Sequence, residues 1–223
     1  MRRTFVFLAT MIQNLNETVL QQATQWLIAR DTALARVFRQ YGYPPLWARE
    51  PGFSTLVHII LEQQVSLASA NAAFQRLQQQ LGVITPSAYL TLDDNILRSI
   101  GFSRQKTSYA RALAQEILDG HLDLPALATL PDELVGQRLK KLKGIGDWTV
   151  DIYLSECLLR PDILPKGDIA MQEAFRVLKG LSERPVHEAF VKQTLHWRPW
   201  RSVGSRMLWH FYLCERNGKQ QYA

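Results

Sequence analysis

The sequence predicts an all-α protein, and three observations carry that expectation. Apolar residues recur at helical spacing from about Glu17 onward. Residues that start and stop helices bracket the periodic runs. Alternating strand patterns are almost absent, with Thr4 to Leu8 the one weak candidate.

Taken in order, Phe53, Leu56, Val57, Ile60 and Leu61 fall at i, i+3, i+4, i+7 and i+8, one face of a helix. Ser66 suits the cap of a second helix, with Leu67, Ala70, Phe74, Leu77 and Leu81 turned to the core and Gly82 ending it. Ser103 caps a third, running to about Asp119 before Gly120. Pro131 opens another, and Pro161, Pro185 and Pro199 punctuate the remainder. No low-complexity linker and no repeat interrupts the pattern.

The chain of 223 residues is long enough for one large domain or two intimately packed lobes, and 47% hydrophobic residues exclude extended disorder. A formal net charge of +6 favours polyanionic partners through counterion release. Two cysteines, Cys157 and Cys214, exclude a four-cysteine zinc or iron–sulfur site and read as reduced thiols. His58/Glu62 and His210/Cys214 have i, i+4 spacing, but neither pair belongs to a larger ligand set. Met1-Arg2-Arg3 before Phe5 to Ile12 faintly imitates a signal peptide, yet Gln13 to Glu17 follows where a small-residue cleavage site belongs. No apolar run approaches the roughly 20 residues of a membrane span. A cytoplasmic, monomeric protein without membrane contact is expected.

The chemistry concentrates between Pro131 and Leu159. Leu134, Leu139 and Leu142 give the first helix there an apolar side, and Arg138, Lys140, Lys141 and Lys143 a basic one. A second helix begins near Asp147 and is apolar nearly all round through Trp148, Val150, Ile152, Leu154 and Leu158, so it is expected to be buried. Leu142-Lys143-Gly144-Ile145-Gly146 connects them, a turn that reads as too tight for side chains at either glycine. The unsatisfied N–H groups that open the second helix favour an anion, so the whole is a phosphate cradle that needs no base-specific side chain. A lone Gly-x-Gly would be an ordinary turn between packed helices; the flanking pattern favours DNA.

That pattern resembles the helix-hairpin-helix glycosylase superfamily, and within it the AlkA-type DNA-3-methyladenine glycosylase II family. Four ordered blocks carry the resemblance from about Phe53 to Leu213: Ile60-Leu61-Glu62-Gln63-Gln64-Val65-Ser66, Ile100-Gly101-Phe102-Ser103-Arg104-Gln105-Lys106, Leu164-Pro165-Lys166-Gly167-Asp168, and Trp197-Arg198-Pro199-Trp200-Arg201-Ser202. The resemblance implies a two-lobed helix-hairpin-helix fold with its active site in the cleft between lobes. One lobe would span 50–160, including the hairpin 132–159, and the other 1–49 plus 161–223. It implies double-stranded DNA with damaged bases as partner and hydrolysis of the N-glycosidic bond of alkylated purines, the 3-methyladenine and 7-methylguanine class.

Asp168 matches the family's catalytic aspartate, and bottom-up it precedes the helical pattern Ala170, Ala174, Val177, Leu178, so an N-cap role coexists. Trp148 stands where bifunctional relatives carry a Schiff-base lysine; an indole there removes the amine nucleophile and suits a cationic base. Trp209 and Ile152 complete the implied base pocket, Ile152 standing where relatives can place an aromatic. Gln63 and Gln64 form the implied gap-filling loop, with glutamine at 64 in place of a bulky aliphatic. Gly144, Gly146 and Thr149 would bind phosphate, with Ser103, Arg104 and Lys106 as a second contact. The family further implies a monovalent Na+ or K+ on the backbone carbonyls of Lys140, Leu142 and Ile145, no required cofactor, and no iron–sulfur cluster. The N-terminal segment is expected to be too short for the extra β-rich lobe of larger AlkA-type enzymes. Two other readings stay open on these residues: a glycosylase for oxidised, deaminated or mismatched bases, and a non-catalytic DNA-binding protein.

Overall fold

The computed structural model describes residues 14–221, with side chains described through residue 216. The strand candidate at Thr4 to Leu8 and the leader-like stretch to Ile12 lie outside the described residues. Every regular element among the described residues is helical. None of these helices is long and apolar enough to cross a membrane.

Local signals place most helix ends. Asn16 opens α1 (Glu17–Ile28) by accepting from Val19 N at 2.9 Å, and Asp31 opens α2 (Thr32–Tyr41). α3 (Phe53–Glu62) precedes α4 (Leu67–Leu81), which Ser66 caps and Gly82 ends as the sequence leads one to expect. Short helices α5 (Pro86–Leu90) and α6 (Asp94–Ser99) lead to α7 (Arg104–Leu118), capped by Ser103. α8 (Leu124–Leu127) and α9 (Asp132–Leu139) precede the hairpin turn and α10 (Asp147–Ile152). The apolar run beyond α10 is not plain α-helix: Tyr153–Cys157 widens into a π-turn with every residue buried. α11 (Ile169–Lys179), α12 (His187–Gln193), a 3-10 turn at Leu195–Trp197 and α13 (Arg201–Gln221) complete the chain.

Two compact units divide the chain. Among the described residues, one comprises 47–158 and 165–167, and the other comprises 14–46, 159–164 and 168–221. In the hairpin-bearing unit, Leu56, Val57, Ile59 and Ile60 of α3 are fully buried, as are Tyr89, Leu113, Val135 and Leu139. Several buried faces differ from the periodic reading by one or two positions. Val135 rather than Leu134 fills the inner side of α9, Ala73 supplements Ala70 and Leu77 on α4 while Leu67 is exposed, and Met171 and Phe175 replace Ala170 and Val177 on α11. At 100° per residue, neighbouring apolar positions compete for the same face, and the packing partner decides between them.

The other unit is organised on a buried polar centre. Asp31 has a fully buried carboxylate that accepts from Ala33 N at 2.9 Å, Leu34 N at 3.3 Å, Lys179 Nζ at 2.9 Å and Trp197 Nε1 at 2.9 Å, with His196 Nε2 at 3.0 Å. One side chain thus starts α2, pairs with the last residue of α11 and bonds both His196 and Trp197 of the Leu195–Trp197 turn. Around it pack Leu27, Leu34, Phe175, Phe190, Trp197 and Met207. Burial alone would raise this carboxyl, but the hydrogen bonds from Trp197, Lys179 and His196 outweigh it and hold it at about 2.

Replacing Asp31 by Asn keeps the shape and removes the charge. Urea unfolding at pH 7 should show a loss of roughly 2 kcal/mol. The folded value lies below the ordinary 3.8, so the unfolded chain binds this proton more readily. The stabilisation is therefore complete above about pH 4 and is lost as pH falls toward about 2. The gap between wild type and variant should narrow over that window; a gap as wide at pH 3 as at pH 7 would contradict this role.

Candidate nucleic-acid interface and active-site residues

The hairpin turn is built on one steric fact. Gly144 has φ +89°, and a Cβ built on it would overlap the ring of Tyr109, which α7 presents to the turn. Only glycine fits there. Gly146 is different: its φ of −102° is extended backbone that other residues adopt, and a Cβ there meets nothing within 4 Å. The expectation that the turn excludes side chains at both glycines is therefore corrected to Gly144 alone. At Gly146 the missing side chain leaves the surface open, next to the start of α10, which no side chain caps.

Gln63 does not project as a gap-filling side chain. Its amide donates to the carbonyl of Gly144 and to Thr149 Oγ1, both at 2.9 Å. That geometry ties the end of α3 to the hairpin turn. The Gln63 amide is held by the hairpin, and the hydroxyl of Thr149, a residue only 2% exposed, faces it. Gln64, by contrast, is exposed and holds φ +56°, an uncommon conformation for a non-glycine residue. Val65 and Leu67 beside it are also exposed, an apolar rim that the sequence reading assigned to no surface.

Lys106 turns inward as well. Its Nζ donates to the carbonyl of Leu61 at 2.7 Å, and burial lowers its pKa. A lysine so placed closes the C-terminal end of α3. Ser103 caps α7 by accepting from Lys106 N at 3.2 Å, and Arg104 is exposed at the first position of that helix. Below the Gln63–Gln64 loop, Arg49 bridges Glu62 at 2.9 Å and Glu156 at 2.6 Å.

The remaining candidates fall in their own units. Trp148 is half-buried at the second position of α10, and Ile152 is buried at its end. Asp168 is 8% exposed and caps α11, with Oδ1 accepting from Met171 N at 2.9 Å. Trp209 is half-buried on α13 against its unit's core. His58 stacks on Phe74 with ring centroids 4.2 Å apart and bonds Asn71 at 2.8 Å, while His210 meets the Tyr41 carbonyl at 3.1 Å. Both histidines are therefore engaged in packing, and no group of three or more metal-ligating side chains occurs among the described residues.

The sequence reading missed a charged cluster on α10. Asp147 accepts from Lys140 Nζ at 2.9 Å and Lys166 Nζ at 2.8 Å, and these bonds hold its carboxyl at about 2. Asp151, four residues on, accepts from Lys166 N at 2.9 Å. An acidic residue at the first position of α10 was the available signal, and two lysines offset its negative charge.

Comparison with known proteins matches residues 57–199 to HhH-GPD, the HhH-GPD superfamily base excision DNA repair protein family. Bacillus subtilis YfjP, which bears a provisional DNA-3-methyladenine glycosylase name, is 30% identical over 80% of this chain. The match spans 65% of that protein's own length, a little under two thirds. DNA-3-methyladenine glycosylase 1 of Schizosaccharomyces pombe is 29% identical over 72% of each chain. The solved structure of S. pombe Mag1 with abasic DNA superposes with a TM-score of 0.78 at 27% identity, covering 84% of this chain and 95% of that one. A Bacillus halodurans DNA-3-methyladenine glycosidase follows at TM-score 0.71 and 28% identity, covering 85% and 88%.

The two hairpin glycines should respond differently to a single methyl group. Gly144→Ala meets both an unfavourable φ and the Tyr109 ring, and should cost about 2 kcal/mol or more. Gly146→Ala should stay within about 1 kcal/mol of wild type. Chemical unfolding of the two variants checks this, and equal losses would show that the turn does not rest on Tyr109.

Proposed function

Since the chain belongs to the HhH-GPD superfamily of base excision DNA repair proteins, we propose that it is a monofunctional DNA glycosylase that hydrolyses the N-glycosidic bond of alkylated purines. The observation that carries the reading is Asp168: a nearly buried carboxylate fixed at the head of α11, in the block that matches the family's catalytic aspartate. Its Oδ1 is oriented by the Met171 N–H, so the group is set before substrate arrives.

A base inside a duplex is out of reach, so the damaged nucleotide is flipped out at an unstacking cost of a few kcal/mol. Gln64, exposed and at a positive φ, fills the vacancy. Backbone N–H groups from Gly146 to Thr149 receive a phosphate at the uncapped start of α10, and the open face at Gly146 permits the approach. Arg104 adds charge from α7. Trp148 supplies an indole face against which a cationic alkylated base stacks, with Ile152 at the other end of the same helix. The carbonyls of Lys140, Leu142 and Ile145 are hard oxygen ligands at a helix end and turn, chemistry that suits Na+ or K+; the Leu142 carbonyl also accepts from Ile145 N at 3.2 Å.

Bond cleavage follows from the leaving group. Alkylation at purine N3 or N7 places positive charge on the base, which departs neutral with the bonding electron pair and needs no general acid. The sugar becomes oxocarbenium-like, as in glycoside hydrolysis. Asp168 stabilises that cation and orients the water that adds at C1′, accepting the proton the water loses.

Asp168→Asn should lower single-turnover base release from methylated duplex by at least about 100-fold while DNA affinity holds or rises. Near-wild-type release by this variant would remove Asp168 from the chemistry. With an indole at position 148, borohydride should trap no covalent protein–DNA adduct and the product should be an unnicked abasic strand. A robust trapped band on a denaturing gel would establish amine chemistry instead.

A further inference from the structure

Asp168 is reached through Pro165-Lys166-Gly167, a segment that packs with the hairpin-bearing unit. Two bonds fix that segment to α10. The Lys166 backbone N–H donates to Asp151 Oδ2 at 2.9 Å, and the Lys166 ammonium meets Asp147 Oδ2 at 2.8 Å. Asp147 and Asp151 are four residues apart and share one helix face. Gly167 follows with φ +75°, so the chain turns sharply just after the anchored residue and just before Asp168.

The two bonds are unequal. The Lys166–Asp147 ion pair is exposed on both sides, 53% and 40%, and a pair of that kind contributes little. Asp151 is half-buried and holds backbone, so its bond restricts φ and ψ rather than a flexible side chain.

We propose that Asp151 is a positioning residue for catalysis, whose carboxylate anchors the Lys166 amide and so fixes the turn from which Asp168 emerges. The inference rests on the glycosylase reading of Asp168. A carboxylate displaced by about 1 Å at the reacting centre can lose 100-fold in rate. Gly167 alone supplies no restraint, because a glycine turn is the softest joint a chain can have. Burial, with the neighbouring Asp147 charge, pushes the Asp151 carboxyl up to about 6. Lys140 and Lys166 act the other way, as does the Lys166 N–H itself. A site that disfavours the charge uses this group as a hydrogen-bond acceptor, and an amide oxygen can do the same work.

The test compares wild type, Asp151→Ala and Asp151→Asn in three measurements. Hydrogen exchange on peptides spanning Lys166 should accelerate in Asp151→Ala and stay near wild type in Asp151→Asn. Single-turnover release from methylated duplex should fall about 10–100-fold in Asp151→Ala and recover to within a few-fold in Asp151→Asn. Affinity for an abasic-analogue duplex should stay within about twofold throughout, since binding does not need Asp168 aligned. Unchanged exchange in Asp151→Ala overturns the anchor whatever the activity. Faster exchange with wild-type release, or losses of release and affinity in step that Asn does not restore, overturns the positioning role. Wild type that releases no base at all refutes the glycosylase reading and with it this role, while the exchange data still decide the anchor.

Discussion

The hairpin-bearing unit depends on the contact between the Gly144 backbone and the Tyr109 ring. A positive φ at Gly144 and an aromatic face where a Cβ would lie leave one solution for the turn. Steric exclusion of this kind is stricter than any single hydrogen bond, which nets only about 1 kcal/mol. Once the turn is seated on α7, its Gly144 carbonyl and Thr149 hydroxyl point to the end of α3, where the Gln63 amide satisfies both. Lys106, from the first turn of α7, closes the same end of α3 through the Leu61 carbonyl. α3, α7 and α10 are thus joined at a single locus, and Gln64 extends from it.

Polar side chains near a proposed DNA surface therefore divide by duty. Gln63, Thr149 and Lys106 satisfy buried partners, and removing any of them leaves a donor or acceptor without its mate. Gln64 and Arg104 stand exposed, Gln64 at a positive φ and Arg104 at the start of α7. Rigid support behind and exposed groups in front is the arrangement a surface needs to meet a stiff duplex without first ordering itself.

Three aspartates show how environment assigns chemistry. Asp31, ringed by donors, is held at about 2 and organises a core. Asp151, half-buried beside another carboxylate, is pushed up to about 6 and accepts a backbone N–H. Asp168 caps a helix, its Oδ1 accepting from Met171 N, and follows the segment that Asp151 anchors. The residue type is constant, and the number and sign of neighbouring groups make one a structural centre, one a brace and one the proposed reacting carboxylate.

By itself the sequence determined the helical class, most helix starts and the place of the hairpin. These signals are local: a cap at Ser66, Ser103 or Asp168 bonds a backbone group three residues on, and a glycine turn needs only its neighbours. The ordered blocks around Asp168 likewise carried the family. Tertiary structure alone decided that Val135 displaces Leu134 from the core, that Gly146 is sterically open, and that Gln63, Thr149 and Lys106 face inward. The bond from Gln63 to Gly144 joins residues 81 positions apart, and that from Lys106 to Leu61 joins residues 45 apart. Periodicity and caps act over a few residues and leave no trace of partners at such distances. Polar side chains that read alike in sequence take their direction only when packing brings a distant carbonyl or ring against them.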